Sequence, residues 1–294
     1  TAAKKTVQLT LSPFFAPVCV LAILSLVSVV LNNTYIVSSL VNYGGLFIAL
    51  AILFVTGSSL LTQKESKVFV HALILPGLLL SVFTFAELLG WGPSRIFNGL
   101  LSTQFPNSPL FSVSGSPLIA AEFLFVLLAG VIALAVTQGK KKLVPFYFLS
   151  SFIFAIALIV NIYTVYQAQR TSPLFLPYGA SWSIMIDGLK SVKSSLIGFG
   201  PDNYGVVFLH LKPVWLNTTP VWAIQFIQAN NFFLNLITTL GLVGLGSWVA
   251  LAIQALRRLK GQTEATVPAA AIFFASLAIE FFLPPNPVLL GTQI

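Results

Sequence analysis

Apolar residues in this chain come in long unbroken runs, without the two-residue alternation of a half-buried strand. Seven runs stand out, at about residues 14–31, 44–61, 68–89, 118–136, 143–166, 232–256 and 267–283. Each approaches the roughly 20 residues that a helix needs to cross about 30 Å of hydrocarbon, where it satisfies its own backbone groups. The expected fold is an all-α polytopic membrane protein of about seven transmembrane helices. Runs of this kind argue against the short alternating segments of a membrane β-barrel.

The polar positions divide the chain into three parts. Residues 1–166 hold about five spans, residues 167–231 form one long polar segment, and residues 232–294 return to apolar runs. The chain opens on Thr1 and a fresh apolar stretch begins at Val288, so the sequence is expected to be a piece lacking its C-terminal part. A second polar stretch, 90–117, is rich in Gly, Pro, Ser and Asn and reads as an interfacial or re-entrant piece. The first run is followed at once by further spans, with no small-residue cleavage site, so it is read as a span and not as a removable signal.

Composition agrees with that picture: 57% of the 294 residues are hydrophobic and 7% charged, with a mean hydropathy of +0.94. A soluble domain carries about 25% charged residues. The net charge of +8 invites a nucleic-acid partner, but the basic residues sit in short clusters beside the apolar runs, as topology signals do. With the N-terminus cytoplasmic, Lys4 and Lys5, Lys64 and Lys67, Lys140 to Lys142, and Arg257, Arg258 and Lys260 all fall on the cytoplasmic side. The segments 90–117 and 167–231 then face outward, and the chain is expected in the cytoplasmic membrane with no nucleic-acid partner. The single Cys19 lies inside an apolar run and supports neither a disulfide nor a metal site.

Chemistry concentrates in the long outer segment. Trp182, Met185 or Ile186, Leu189, Val192 and Leu196 recur at helical spacing over 181–196, opposite Asp187, Lys190 and Lys193. That pattern predicts an amphipathic helix, lying in the headgroup plane or packed on top of the bundle. The turn Gly198-Phe199-Gly200-Pro201-Asp202-Asn203 follows, without the strand or the Lys-Ser/Thr of a nucleotide loop. Five cations, Arg95, Arg170, Lys190, Lys193 and Lys212, would face outward. Arginine grips phosphate bidentately and lysine acts as a point charge, so the group suits a phosphorylated lipid head; solvated loop charges are the alternative. His210 is the one imidazole in the segment and a candidate general base. His71 reads as a bundle-facing hydrogen-bonding residue, and the intramembrane acids Glu87, Glu122 and Glu280 as costly groups worth following.

Trp182 and Leu189, the string Ile197-Gly198-Phe199-Gly200 and the following Asn203-Tyr204 together resemble the outer loop of the O-antigen ligase and polymerase superfamily. In the place of that family's HxHN-like motif stand Gln228, Ala229, Asn230 and Asn231, and Leu240-Gly241-Leu242-Val243-Gly244-Leu245 matches the Gly-Leu-x-Gly helix start. The resemblance covers about residues 178–248. It implies a GT-C-like membrane glycosyltransferase that moves a glycan from a polyprenyl diphosphate carrier to an unidentified acceptor on the outer face of the membrane, without metal, nucleotide or other cofactor. Arg170, Lys190, Lys193 and Arg95 would hold the donor diphosphate. Two departures stand out: Gln228 and Asn230 replace both histidines, and no arginine directly precedes Trp182. His210, Asp202 and Asn230 are then the candidates for the catalytic role. Two other classes compete: a transporter or flippase of lipid-linked precursors, for which Pro76-Gly77 inside the third run speaks, and a non-catalytic membrane component whose Trp182, Trp215 and Trp222 are interfacial belt residues.

Overall fold

A computed structural model describes residues 12–32, 36–60, 68, 71–101, 111–138, 143–171, 175–258 and 266–292. All regular structure among the described residues is helical. Five helices are long and apolar enough to cross a bilayer: α1 (Phe15–Asn32), α3 (Tyr43–Leu60) with the end of the short α2 (Ile36–Val41), α6 (Pro117–Gln138), α7 (Val144–Thr171) and α11 (Phe232–Arg258). The chain is therefore an all-helical protein with the helices of a multi-pass membrane protein.

Two of the seven expected spans come out differently. In the third, α4 (Ile74–Leu88) is followed by α5 (Pro93–Leu101), which lies beyond the run in the 90–117 stretch, and the two are bent by 70° at a short break. Counted as one broken span, the pair makes a sixth. The bend is clipped by Glu87, whose Oε1 accepts the Ser94 N–H at 2.8 Å and whose Oε2 accepts the Ser94 hydroxyl at 2.7 Å. A carboxylate there answers the unpaired N–H groups of the α5 N-terminus. In the last expected span, α12 (Thr266–Glu280) has 15 residues and is about 22 Å long, short of a full crossing.

Local signals explain the helix ends. Ser116 caps α6 by accepting the Ile119 N–H at 3.2 Å, with Pro117 at the first helical position where its missing N–H costs nothing. Asn231 caps α11 in the same way, accepting the Leu234 N–H at 2.9 Å.

Two helix groups carry the core. In one, α6 packs along α7 and α12, with α4 against α7; Gly77 lies so close that a Cβ would meet Leu127 and Phe154 at 2.6 Å. In the other, α1 packs on α3 and α11 around Leu21, Leu236, Leu240 and Trp248. Between α7 and α11 the 175–231 segment folds on its own apolar centre of Ile184, Met185, Tyr204, Phe208 and Phe226. It comprises α8 (Tyr178–Gly188), α9 (Val192–Ile197), α10 (Tyr204–Leu211) and a 3-10 turn, Val214–Thr218. The single helix expected over 181–196 is thus two, broken at Leu189–Ser191. Gly188 abuts the Phe199 ring, where a Cβ would stand 2.9 Å from Cε2, and the Ser194 hydroxyl donates to the Gly188 carbonyl at 2.5 Å.

Candidate functional site

The turn after α9 enters the bundle and meets α11 backbone to backbone. Gly198 (φ 69°, ψ −167°) and Gly241 (φ 69°, ψ −168°) share one left-handed geometry. A Cβ on Gly198 would lie 2.2 Å from the Thr239 carbonyl carbon, and one on Gly241 2.4 Å from the Leu196 oxygen. The conformation and the contact each demand glycine. At the interruption of α11, Phe199 and Gly200 donate their N–H groups to the carbonyls of Thr238 and Thr239 at 3.0 and 2.9 Å. The turn thus supplies donors beside the interruption, so those carbonyls are satisfied inside the bundle.

The end of α1 grips the same turn. Ser28 donates to the Ile197 carbonyl at 2.8 Å, Asn32 to the Gly198 carbonyl at 3.3 Å, and Asn203 back to the Phe199 carbonyl at 2.7 Å. Lys193 donates to the Leu31 carbonyl at 3.2 Å, a cation at the negative end of α1.

Asp202 sits at the tip with φ 68°, the one described non-glycine residue at positive φ. Its Oδ1 and Oδ2 accept the Tyr43 N–H at 3.3 and 3.1 Å, so the turn caps α3. Burial raises its carboxyl above the ordinary range, while the N–H groups of Tyr43 and Gly44 pull it down. The Tyr43 hydroxyl then accepts from the Gln228 amide at 2.7 Å and donates to the Pro285 carbonyl at 3.0 Å. Next in the chain, Asn286 donates to Glu122 Oε2 at 2.6 Å; Oε1 of this buried acid has no hydrogen-bond partner among the described residues.

These groups enclose a chamber of about 190 Å3 lined by Tyr43, Asp202, Gln228, Asn235, Thr239 and Pro285. Of the residues proposed from the sequence, Asp202 and Gln228 meet here. Asn230 faces a separate open cleft with Tyr178 and Phe281 and is tied to the 175–231 segment: its N–H donates to the Ser181 hydroxyl at 2.9 Å and its side-chain amide to the Leu176 carbonyl at 2.8 Å. Asn231 bonds the Phe281 carbonyl at 3.0 Å besides capping α11. The amide run in the HxHN-like place therefore laces α3, α8, α11 and α12 together.

His210 is exposed in the last turn of α10 and lines neither cavity. Trp182 is half exposed and stacks on Tyr178 at 6.4 Å. The cations have separate partners. Lys190 pairs with Asp187 at 2.6 Å, Lys212 donates to the Trp222 carbonyl at 2.5 Å, and Arg95 reaches the Gly90 carbonyl at 3.5 Å. Arg170 lies in the last turn of α7, and its side chain is outside the described residues. Among the described residues no lysine, arginine or histidine lines the chamber. No His/Cys/Asp/Glu group among them has the form of a metal site.

Tyr43, Asn235, Thr239 and Asn286 escaped the sequence reading. Asn235, Thr238 and Thr239 did leave a signal, being polar inside an apolar run. Nothing in sequence marks Tyr43, which reaches the site only through α3 packing. No protein family, curated protein or solved structure matches the chain.

Proposed function

We propose that the protein is a GT-C-like glycosyltransferase that moves a glycan from a polyprenyl diphosphate carrier to an acceptor at the outer face of the cytoplasmic membrane. In this reading the bent pair α4–α5 and the short α12 complete seven crossings, and the N-terminus is cytoplasmic. The observation that carries the reading is the meeting of Gly198 and Gly241. The two halves of the motif that prompted the resemblance form one backbone lock, and that lock walls a polar chamber.

The chamber is the acceptor side of the proposed reaction. An acceptor hydroxyl attacks the sugar carbon bonded to the carrier, that C–O bond breaks, and the diphosphate leaves with the electron pair. Asp202 is the residue for the released proton: it lines the chamber, and burial raises its affinity for a proton. The donor diphosphate belongs outside, where Arg170, Lys190, Lys193 and Arg95 neutralise its charge. The deciding experiment is binding of a polyprenyl diphosphate sugar to the purified chain, followed by transfer. Arg170→Ala is expected to lose saturable binding. Asp202→Asn should keep binding and lose 10²- to 10⁴-fold in transfer rate, the size of a general-base contribution. No binding to the unmodified chain removes the proposal.

One observation favours a second reading, movement of lipid-linked precursors across the membrane. Discontinuous helices mark many transporters, and α11 is interrupted at Gly241 while α4 and α5 are bent by 70°. Accelerated flipping of a labelled lipid-linked sugar in proteoliposomes, without transfer, selects that reading.

A further inference from the structure

The polar chamber adjoins a second cavity of opposite character. About 260 Å3 in volume, it lies among α1, α3, α11 and α12 and is lined by Val18, Leu50, Phe54, Trp248, Ala270 and Phe273. Phe47 and Leu290 line both cavities. A polar compartment and an apolar one that share two walls suit an amphiphile, with its head in the first and its chain in the second.

Two observations restrict the amphiphile. The chamber holds the Asp202 carboxylate and, among the described residues, no cation, while it offers the amides of Gln228 and Asn235 and, as acceptors, the hydroxyl oxygens of Tyr43 and Thr239, whose protons go to the Pro285 and Asn235 carbonyls. A phosphate or diphosphate head meets like charge there, whereas uncharged hydroxyls meet donors and acceptors. At the junction stands Trp248, whose ring packs 4.9 Å from that of the chamber residue Phe232. Its indole N–H has no hydrogen-bond partner among the described residues and is closed to a water-sized group, so an acceptor in the cavity reaches it only as the ring turns. A polyisoprenoid chain carries no acceptor for it. An ester-linked acyl chain carries a carbonyl at the boundary of head and tail.

We infer that the composite cavity binds an acyl lipid with an uncharged sugar head, its ester carbonyl on Trp248 and its sugar hydroxyls among Tyr43, Gln228, Asn235 and Thr239. The binding stands by itself; the role of this lipid as the acceptor rests on the transfer reading above.

The test uses the full chain, purified and stripped of lipid in detergent, with bound lipid counted by native mass spectrometry. Monoglucosyl diacylglycerol is expected to half-saturate at a concentration at least tenfold lower than phosphatidylglycerol. Ala270→Trp, which fills the apolar part, should weaken binding at least tenfold. Gln228→Leu with Thr239→Val should abolish the head-group preference. Equal binding of the two lipids, or unchanged binding to Ala270→Trp, overturns the inference. If the cavity-filling variant fails to fold, Trp248→Phe decides. It should weaken the ester-linked glucolipid about tenfold and spare its ether-linked analogue, and an equal effect on both overturns the assignment. A polyprenyl diphosphate sugar is tested on the same preparation. Glucolipid bound without it supports the inference and removes the transfer reading; the donor bound without glucolipid does the reverse.

Discussion

Single residues decide whether the lock between the 175–231 segment and the bundle can close. At Gly198 a side chain meets both a positive-φ extended backbone that is essentially glycine-only, costing roughly 1–3 kcal/mol, and a backbone neighbour at 2.2 Å that has no flexible end to move. Gly198→Ala and Gly241→Ala should each cost about 3 kcal/mol or more, read as loss of folded protein in a detergent melt. Gly246→Ala on the same helix, with open space around it, should be tolerated. Tyr204 shows the opposite economy. Its hydroxyl is buried without a partner of hydrogen-bond geometry among the described residues, although Ser181 offsets part of the burial that pushes its pKa up to about 12. Tyr204→Phe should therefore leave the melting temperature unchanged or raise it, since an unpaired buried polar group costs about 1–3 kcal/mol. Asp202 makes stability depend on pH. Its folded pKa is raised, so folding favours the protonated form. That contribution is complete below about pH 4 and is lost as pH rises through the folded value. Melting profiles of Asp202→Asn should be flatter than those of the unmodified chain from about pH 4 upward.

Among the elements, those set by local periodicity were legible and those set by contacts were not. Long apolar runs announced α1, α3, α6, α7 and α11 because a spanning helix is selected mainly by hydrocarbon around it. The helix pattern over 181–196 was equally regular, yet the chain breaks there because Phe199 packs on Gly188 and Ser194 takes the Gly188 carbonyl. No residue within the run signals that neighbour. Likewise Gln228, Asn230 and Asn231 stood out as a motif, but their roles as ties to Tyr43, Leu176 and Phe281 depend on which helices come together. The bend between α4 and α5 belongs to the same class. Gly92 leaves no room for a Cβ beside the Glu87 carboxyl, which would be 2.1 Å away. Gly92→Ala should push Glu87 off Ser94 and loosen the bend, seen as faster hydrogen exchange in α5 with α6 and α7 unchanged.

For the whole molecule the transfer reading turns on which way the bundle faces, because it requires the 175–231 segment outside. Charge sets the expectation: each basic cluster flanks a span end on one side under a single orientation, and the 175–231 segment is folded tightly enough to serve as a marker. The turn hydrogen-bonds both to the C-terminal end of α1 and to the N-terminal turn of α3, so it shares their membrane face. Cys19 is the single cysteine, which makes the chain simple to label. In a Cys19→Ser background, Lys190→Cys lies at a position whose side chain is 74% exposed. It should react with a membrane-impermeant maleimide added to intact cells. Lys141→Cys, in the basic cluster between the fourth and fifth apolar runs, should react only after the cells are opened. Reaction of both from outside would contradict a single orientation. The reversed pattern would turn the chamber toward the cytoplasm, where a carrier-linked glycan already flipped outward is out of reach, and the transfer reading would fall with it.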